Sequence, residues 1–388
     1  MEKEREYYLD YNATTPVDPR VLEEMTRFFN RQFHNPSSFY RKAGEANQAI
    51  ETARKRVAEL VNADIGNIYF TSGGTESDNL AILGAVRKNG RKGHIITSTI
   101  EHPAVLNVCK YLEKNGYEVT YLPVDSNGLV SPDDLKKSIK DSTMLVSVMH
   151  ANNEIGTIQP LKELIDITHE GGALFHSDAV QTAGKLPLDV KELDIDLMSF
   201  SGHKFYGPKG IGVLYKKKDV KIEPLVQGGG HERGLRAGTE NVPGIVGIGK
   251  AAELAMEEMS QVELKVRPLR DKLQKKILET VPEVIVNGDT PHRLFNTLNV
   301  SIKYIEGEAI LAFLDGEGLA LSSGSACSSK SLDPSHVLLA IGLRHEDAHG
   351  SLRISLGKFN EEEDADKLIE VLPPVVERLR SMSPFWRK

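Results

Sequence analysis

Between about residues 50 and 215, short apolar runs alternate with segments of helical periodicity, and the runs end at Gly, Asn, Ser or Asp. This alternation is typical of βα units, whose strands form a mostly parallel sheet with helices on both faces. The predicted strands are 68–71, 94–99, 118–124, 144–150, 173–177, 197–200 and 212–215. The predicted helices of this region are 46–60, 76–88, 103–114, 132–139 and 161–170. The sequence therefore predicts an α/β fold.

The pattern changes beyond residue 215. A glycine run at 228–230 and a segment reaching Gly249 precede a helix-forming stretch at 251–279, which we expect to be broken near Pro268. The later strand-like runs are 297–302 and 352–355, and the later helical ones are 308–314 and 361–371. This mixture predicts a smaller α+β unit.

Composition excludes several classes of protein. Lys and Arg number 48 against 55 Asp and Glu, so the net charge is -7 and nothing favours binding to nucleic acid or to an anionic membrane. No stretch approaches about 18 consecutive apolar residues, and residues 1–8 are charged instead of signal-like, so we expect a cytoplasmic protein. The two cysteines, Cys109 and Cys327, are too few for a disulfide framework or a four-cysteine zinc site.

Polar residues cluster where the predicted strands end, which is the edge at which open α/β sheets bind ligands. The strand 68–71 is followed by Ser72-Gly-Gly-Thr75 and a helix start, whose free N–H groups suit a phosphate. The segment lacks a full nucleotide-binding fingerprint, so an ordinary tight turn is the alternative. His102 follows the strand 94–99, where it could stack on an aromatic ligand or move protons, with a structural role as the alternative.

Two further strand ends carry amide and carboxylate groups. Asn153 lies in the loop that begins at His150, for which turn chemistry is the simpler interpretation. Asp178 and Gln181 follow the strand 173–177. A buried carboxylate needs a cationic partner, so Asp178 could hold a protonated ring nitrogen. A metal site at His176 and Asp178 is the alternative, although no third ligand has suitable spacing.

Lys204 has surroundings that an ordinary surface lysine rarely has. It ends the segment Ser201-Gly-His-Lys204, which follows a predicted strand and is flanked by glycines. A lysine that is partly desolvated at a strand end can have a lowered pKa and form a Schiff base. Ser201 and His203 could reach a phosphate in the same place.

The second half of the chain adds a thiol and a guanidinium. Cys327 lies in 321–331, where seven of eleven residues are Ser or Gly, and such an accessible loop suits a reactive thiol. Cys109 belongs to an apolar helical face, so we expect it to be buried and inert. Arg353 lies on a short predicted strand and could bind a carboxylate, with a surface ion pair as the alternative.

Taken together, these segments resemble the cysteine desulfurases of the iron-sulfur-cluster-assembly and nitrogen-fixation type. The motifs that carry the resemblance cover nearly the whole chain and are Tyr8-Leu-Asp-Tyr-Asn-Ala-Thr-Thr-Pro16, Asn35-Pro-Ser-Ser38, Thr75-Glu-Ser77, Glu101-His102, Asn152-Asn-Glu154, Asp178-Ala-Val-Gln181, Ser201-Gly-His-Lys204, Arg236-Ala-Gly-Thr-Glu-Asn241, Gly324-Ser-Ala-Cys327 and Pro334-Ser-His-Val-Leu338. The resemblance implies a pyridoxal-phosphate-dependent transferase of the aspartate-aminotransferase-like fold (fold type I). It implies a large domain of 15–255 and a small domain of 1–14 and 256–388, which carries the cysteine loop at about 322–332.

The resemblance also implies roles for individual residues. The implied cofactor-binding residues are Gly74, Thr75, His102, Asn153, Asp178, Gln181, Ser201, Gly202, His203, Lys204 and Thr239. Among them, Lys204 carries the cofactor, His102 stacks on its ring, Asp178 pairs with the pyridine nitrogen and Gln181 with the phenolic oxygen. Thr239 reaches the phosphate of a neighbouring subunit, which implies a homodimer. The residues implied to hold the substrate carboxylate are Arg353, Asn153 and Asn12.

The implied reaction removes sulfur from L-cysteine and gives L-alanine and a persulfide on Cys327. Lys204 and His102 complete the implied catalytic set with Cys327, which attacks the substrate sulfur as a thiolate. Within the family, Ser-Gly-Ser-Ala-Cys marks the branch that serves iron-sulfur scaffold proteins, so a scaffold partner and a transient [2Fe-2S] cluster touching Cys327 are implied.

The alternatives are an aminotransferase or a selenocysteine lyase of the same fold, and a non-catalytic sulfur-binding protein. Cys327 argues against a plain aminotransferase, which needs no thiol, and the set that includes Lys204 and Arg353 argues against a non-catalytic protein. Selenocysteine as a second substrate stays open.

Overall fold

A computed structural model describes residues 6–88, 90, 92–323, 334–384 and 386. The strands are β1 (Tyr7–Tyr8), β2 (Ile68–Thr71), β3 (His94–Ser98), β4 (Glu118–Leu122), β5 (Thr143–Ser147), β6 (Leu174–Asp178), β7 (Leu197–Ser201), β8 (Gly212–Lys216), β9 (Val284–Val286), β10 (Thr297–Ile302), β11 (Leu319–Ala320) and β12 (Ser351–Ser355). The α-helices are α1 (Pro19–Asn30), α2 (Arg41–Leu60), α3 (Gly74–Lys88), α4 (Pro103–Lys114), α5 (Pro132–Ser138), α6 (Leu161–Glu170), α7 (Val190–Leu193), α8 (Val242–Thr280), α9 (Gly307–Asp315), α10 (His336–Ala340), α11 (His345–His349) and α12 (Glu362–Met382). Within these described ranges, no helix has the length and apolar character needed to span a membrane.

The central sheet has the strand order β2-β8-β7-β6-β5-β3-β4. The pairs from β7 through β4 are parallel, whereas β8 runs antiparallel to both β2 and β7. The predicted α/β fold with a mostly parallel sheet is therefore confirmed. Because β2, β3, β5, β6 and β7 all point the same way, their carboxyl ends meet at one edge, where ligands bind in such sheets.

Alternate residues of the strands pack into different hydrophobic layers. Ile96 and Val146 belong to the cluster on one face, whereas their neighbours Ile95 and Leu145 belong to the cluster on the other face. All four side chains have no exposed surface. Strands buried on both faces have nearly continuous apolar sequences, which explains why the short runs were recognisable as strands.

Helix α8 corrects the prediction for 251–279 in two ways. It begins at Val242, so Gly247 and Gly249 lie inside the helix. A Cβ on Gly249 would approach Ala53 Cα to 2.5 Å, so glycine at this position allows α8 to pack closely on α2. The expected break at Pro268 is also wrong, because the helix continues through it. Proline removes one backbone hydrogen bond, and the adjacent turns keep theirs.

The later elements form a second packed unit. Its sheet has the order β12-β10-β9 and is antiparallel, and β1 pairs with β11 nearby. Helix α12 is longer than the predicted 361–371, because it continues through Pro373 and Pro374. A separate hydrophobic cluster contains Leu298, Leu352 and Leu368. The domain boundaries given above stay a prediction.

Candidate active site

A cavity of about 320 Å³ opens at the carboxyl edge of the central sheet. Its lining includes the predicted residues Asn12, Gly74, Thr75, His102, Asn153, Asp178, Gln181, Ser201, His203, Lys204 and Arg353. The described lining residues do not include Gly202 and Thr239. Gly202 is buried and its N–H donates to Ile211 O at 3.1 Å, whereas Thr239 is exposed.

One end of the cavity is suited to a phosphate. Helix α3 begins at Gly74, so Gly74 and Thr75 of the predicted turn lie in the first turn of α3, and Ser72 and Gly73 precede it. A Cβ on Gly74 would come within 2.7 Å of Val180 Cγ2, so only glycine leaves this space free. Ser201 and Lys209 line the adjoining surface. N–H groups at a helix start, a hydroxyl and a cation together favour a bound anion.

Asp178 and His102 both line the cavity. Asp178 Oδ1 accepts a hydrogen bond from Val180 N at 2.9 Å. Burial raises the pKa of Asp178, and the charges of His102 and Lys204 act in the opposite direction. His102 Nδ1 accepts from Ala104 N at 3.1 Å, so the neutral ring carries its proton on Nε2. Burial lowers the pKa of His102. A buried carboxylate of this kind suits a cationic ring nitrogen.

The alternative of a metal site at His176 and Asp178 is wrong. Both ring nitrogens of His176 form hydrogen bonds, to Ser147 Oγ at 2.8 Å and to Ser199 Oγ at 3.0 Å. Burial lowers the pKa of His176 to about 3, so the ring is neutral. In the part of the chain that the structure describes, no group of three or more His, Cys, Asp and Glu side chains is placed to hold a metal ion.

Lys204 is held by the N-terminal segment. Its Nζ donates to Asn12 O at 2.5 Å and to Ala13 O at 2.9 Å. His203 Nδ1 lies 3.0 Å from Thr14 Oγ1. Burial and the charge of Lys204 lower the pKa of His203 to about 4, so at neutral pH this ring is uncharged. The segment therefore fixes two predicted cofactor residues from outside the sheet.

Arg353 is buried instead of forming the surface ion pair that was its alternative. It is 3% exposed, and its Nη2 donates to Asp10 Oδ1 at 2.7 Å. Its Nη1 donates to Asn153 O at 3.3 Å. Among the described residues, its buried Nε has no hydrogen-bond partner. A guanidinium that is only partly satisfied and lines a cavity suits an incoming carboxylate.

Two charged residues near the cavity received no role from the sequence alone. Asp10 is the anionic partner of Arg353, although the two are far apart in the chain. Lys185 is 8% exposed, and its Nζ donates to Gln181 Oε1 at 2.9 Å. The one available signal for Lys185 was its position four residues after Gln181, between Gly184 and Leu186, where a charged side chain is unusual.

The two cysteines differ in what can be said of them. Cys327 lies outside the described residues. On one side of it, Ser322 Oγ donates to Asp10 Oδ2 at 2.7 Å, and on the other Ser335 Oγ donates to Glu154. The described chain therefore approaches the cavity from both directions. Cys109 is confirmed as buried, with no exposed surface, and burial raises the pKa of its thiol to about 12.

The fold agrees with comparisons to known proteins. The model of the aminotransferase class-V family matches residues 7–368. This chain belongs to the class-V aminotransferase family. This class-V aminotransferase is 54% identical to a cysteine desulfurase IscS of Methanosarcina thermophila. The alignment spans 382 residues and covers 98% of this chain and 94% of the relative. It is also 54% identical over 385 residues to a cysteine desulfurase IscS of Clostridium botulinum, covering 98% and 97%.

A solved structure of a NifS-like protein superimposes with a TM-score of 0.91 at 42% identity, covering 97% of this chain and 100% of that one. The predicted family and fold class are therefore confirmed. The predicted activity is the one that the names of the IscS relatives give.

Membership of the class-V aminotransferase family implies pyridoxal phosphate. The donor set of the cavity fits this cofactor. The start of α3 at Gly74 provides an anion site that a Cβ would fill, and buried Asp178 is available to a ring nitrogen. Lys204 supplies an amine in the same cavity.

Proposed function

We propose that this class-V aminotransferase is a cysteine desulfurase. L-Cysteine and the thiol of Cys327 give L-alanine and a Cys327 persulfide, so the sulfur atom moves from substrate to enzyme. The observation that carries the proposal is the single cavity that contains Lys204, Asp178 and the incompletely paired Arg353. The identity of 54% to proteins named cysteine desulfurase supports the same activity.

Pyridoxal phosphate, when bound, supplies an electron sink for the substrate's reacting carbon atoms. Gly74, Thr75, Ser201 and His203 would hold its phosphate, with Gly202 shaping the turn that carries His203. Asp178 would hold its ring nitrogen, Gln181 its phenolic oxygen, and His102 would lie against its ring. The low pKa of His203 keeps that ring neutral, so it can donate one N–H to an anion without adding a charge.

Arg353 would bind and orient the carboxylate of L-cysteine. Its Nη2 is engaged by Asp10. Its Nε, which has no partner among the described residues, is the donor we assign to the substrate, and the Asn12 and Asn153 amides line the same cavity. Lys204 Nζ would then take the α-proton of the oriented substrate and return it to the product. The carbonyls of Asn12 and Ala13, to which Lys204 Nζ donates, are acceptors only, so these two groups hold the amine without supplying a proton.

Cys327 would receive the sulfur. What supports this is the placement of the chain on both sides of it. Arg353 N donates to Ser322 O at 2.7 Å, and Ser322 also bonds the Asp10 carboxylate that pairs with Arg353. After Cys327, His336 Nε2 lies 3.0 Å from Glu101 O, next to His102.

The test compares Cys327→Ala with Cys109→Ser, because these are the only two cysteines in the chain. Wild type and Cys109→Ser should release alanine and sulfide in equal amounts from L-cysteine with a reductant. Cys327→Ala should bind pyridoxal phosphate normally and lose both products. Equal product release in all three proteins would remove Cys327 from the reaction, and a wild type that binds no pyridoxal phosphate would reject the proposed function.

We further propose that the enzyme is a homodimer in which Thr239 contacts the phosphate bound by the partner subunit. Thr239 is exposed, which suits a role outside its own subunit. The aromatic residues Phe29, Phe33, Phe39 and Tyr40 are all more than half exposed, and burial in an interface would remove this apolar surface from water.

The dimer has a specific test. Lys204→Ala and Thr239→Ala should each weaken activity, and mixed subunits should regain part of it, because one of the two sites then has both residues. A monomer by light scattering, or no gain on mixing, would contradict the shared site.

We also propose that the persulfide sulfur passes to an iron-sulfur scaffold protein in the cytoplasm, with a transient [2Fe-2S] cluster held jointly by Cys327 and the scaffold. The IscS name of the relatives and the Ser-Gly-Ser-Ala-Cys sequence ending at Cys327 support this acceptor class. Labelled sulfur from L-cysteine should appear on an added scaffold protein with wild type and Cys109→Ser. Label on the scaffold with Cys327→Ala would contradict the proposed route.

A further inference from the structure

Lys185 is a buried cation that the proposed reaction does not use. Its side chain lies behind the cavity, and its Nζ donates to Gln181 Oε1 at 2.9 Å and to Asn12 Oδ1 at 3.4 Å. Burial, and then repulsion by Lys204 and Arg353, lowers its pKa to about 7. Burying an ammonium group is costly unless hydrogen bonds compensate it, so both contacts stabilise this position.

The two ends of the Gln181 amide are held by different partners. Oε1 accepts from Lys185, and Nε2 donates to Asn12 O at 3.0 Å. The protonated form of Lys185 only donates and a backbone carbonyl only accepts, so with Lys185 protonated the two contacts require the same orientation of the amide. Nε2 carries two hydrogens, so the second N–H is available to the cavity that Gln181 lines.

Asn12 connects the same lysine to the catalytic amine. Its Oδ1 accepts from Lys185 and from Asn296 Nδ2, the latter at 3.1 Å. Its Nδ2 donates to Thr297 Oγ1 at 2.9 Å, and its carbonyl oxygen accepts from Lys204. The carbonyl that holds Nε2 of Gln181 is therefore itself fixed by a side chain that Lys185 contacts.

We propose that Lys185 is a positioning residue that holds the Gln181 amide so that its free N–H donates to the phenolic oxygen of pyridoxal phosphate. The inference rests on the proposed function, because the bound cofactor supplies the acceptor. Without the ammonium group, Oε1 of Gln181 is a buried acceptor that lacks its donor. The amide then moves toward another donor, and its hydrogen bond to the cofactor weakens.

The test uses holoenzyme with Lys185→Met, Gln181→Leu and the double variant. Lys185→Met is expected to raise the dissociation constant of pyridoxal phosphate about tenfold, the equivalent of one buried hydrogen bond. It should also shift the pH midpoint of the cofactor's visible absorption band, since that band responds to donation at the phenolic oxygen. In the Gln181→Leu background, Lys185→Met should change the dissociation constant and the pH midpoint little further, because the amide through which Lys185 acts is then absent.

Lys191→Met is the matched control, because this lysine is exposed and pairs with Asp64 at the surface. Lys185→Gln keeps an N–H donor without the charge, so it should bind pyridoxal phosphate more tightly than Lys185→Met does. If Lys185→Met does not fold, Lys185→Gln takes its place in the comparison with wild type. An unchanged band and affinity in Lys185→Met would overturn the inference, as would equal losses in both backgrounds. A wild type without a visible band would instead reject the proposed function, and this inference with it.

Discussion

Arg353 shows how burial and charge combine at a single residue. The side chain is nearly inaccessible, yet the described residues leave its Nε without a partner. Asp10 compensates the charge from one side only. A substrate carboxylate bound there, as we propose, would complete the hydrogen bonding of a guanidinium that is already oriented, so less side-chain entropy would be lost on binding.

Arg353→Lys should therefore weaken the use of L-cysteine while preserving the positive charge. Lysine can pair with Asp10 but has no planar fork for a second carboxylate. A charge-assisted hydrogen bond contributes about 1.5–3 kcal/mol, so kcat/KM should fall about 10- to 100-fold, mainly through KM. Steady-state kinetics with L-cysteine measures kcat and KM, and Arg344→Lys, at an exposed arginine, is the control. An unchanged KM would place the substrate carboxylate elsewhere.

Glu154 should make the stability of the protein fall as pH rises from about 4.5 to 7. Burial raises its pKa from 4.5 to about 7, against opposing effects of Ser335 and Arg353. The folded state then binds more protons than the unfolded state in this window, so raising the pH removes up to about 3 kcal/mol of stability. The free energy of unfolding of wild type minus that of Glu154→Gln should decrease across the window.

Denaturant unfolding at several pH values measures this difference. Glu163→Gln, at an exposed position of α6, is the control for loss of a surface carboxyl group, and it should change the free energy of unfolding by less than about 0.5 kcal/mol at pH 7. A difference for Glu154→Gln that stays constant with pH would contradict a buried, proton-binding carboxyl group.

The residues that could be predicted from the sequence are those at the end of a strand or shortly after it. Asp178 ends β6 and Lys204 lies three residues after β7, so their position at the sheet edge follows from chain order alone. Asp10 and Lys185 could not be assigned in this way. The pairing of Asp10 with Arg353 joins two distant segments, and the contact of Lys185 with Gln181 depends on which face of a short turn is buried.

At the scale of elements, the βα region was easier to predict than the long helix α8. The predicted helices 103–114 and 161–170 coincide with α4 and α6. The run at 68–71 coincides with β2, because every residue of that strand is buried and apolar or β-branched. Helix α8 was predicted to begin too late because glycine disfavours helices in solution. Tertiary packing outweighs this preference, since Gly247 and Gly249 lie where a Cβ would collide with Met25 and Ala53.

Gly249→Ala should consequently destabilise the protein, although alanine is the better helix former. The new Cβ would lie 2.5 Å from Ala53 Cα, and such overpacking costs about 1–3 kcal/mol. Gly44→Ala in α2 is the matched control, because no described atom lies within 4 Å of its Cβ position. That substitution should raise stability by about 0.4–1 kcal/mol. Thermal unfolding compares the two, and equal shifts would mean that α2 and α8 separate easily.

At the scale of the whole molecule, α8 joins the two main hydrophobic clusters. Ile245 and Leu254 belong to the cluster under the central sheet, whereas Leu273 and Ile277 belong to the cluster around the smaller sheet. The cavity is lined by residues from both the central sheet and the smaller sheet. Lys204 follows a central strand, and Arg353 lies on β12 of the smaller sheet. Contacts that fix one unit against the other therefore also set the geometry of the site.

Lys358 provides such a contact. Its Nζ donates to Asp18 Oδ2 at 2.5 Å and to Glu258 Oε2 at 3.0 Å, and its backbone N–H donates to Tyr206 Oη at 2.6 Å. Hydrogen bonds from Arg20 and then Lys358 hold the pKa of Asp18 well below its usual value. The ion pairs thus connect the segment after β12 with the start of α1 and with α8.

Lys358→Met should lower the free energy of unfolding at pH 7 by about 1–3 kcal/mol. Breaking a buried ion pair costs about 3–5 kcal/mol, and Arg20 still pairs with both carboxylates, which reduces the loss. The pKa of Asp18 is depressed in the folded state, so the stabilisation exists above 3.8 and is lost as the pH falls below it. The difference between wild type and variant should therefore shrink at about pH 3. Lys191→Met, at an exposed ion pair with Asp64, should change stability by less than about 0.5 kcal/mol. Equal effects of the two substitutions would mean that the buried network does not hold the two units together.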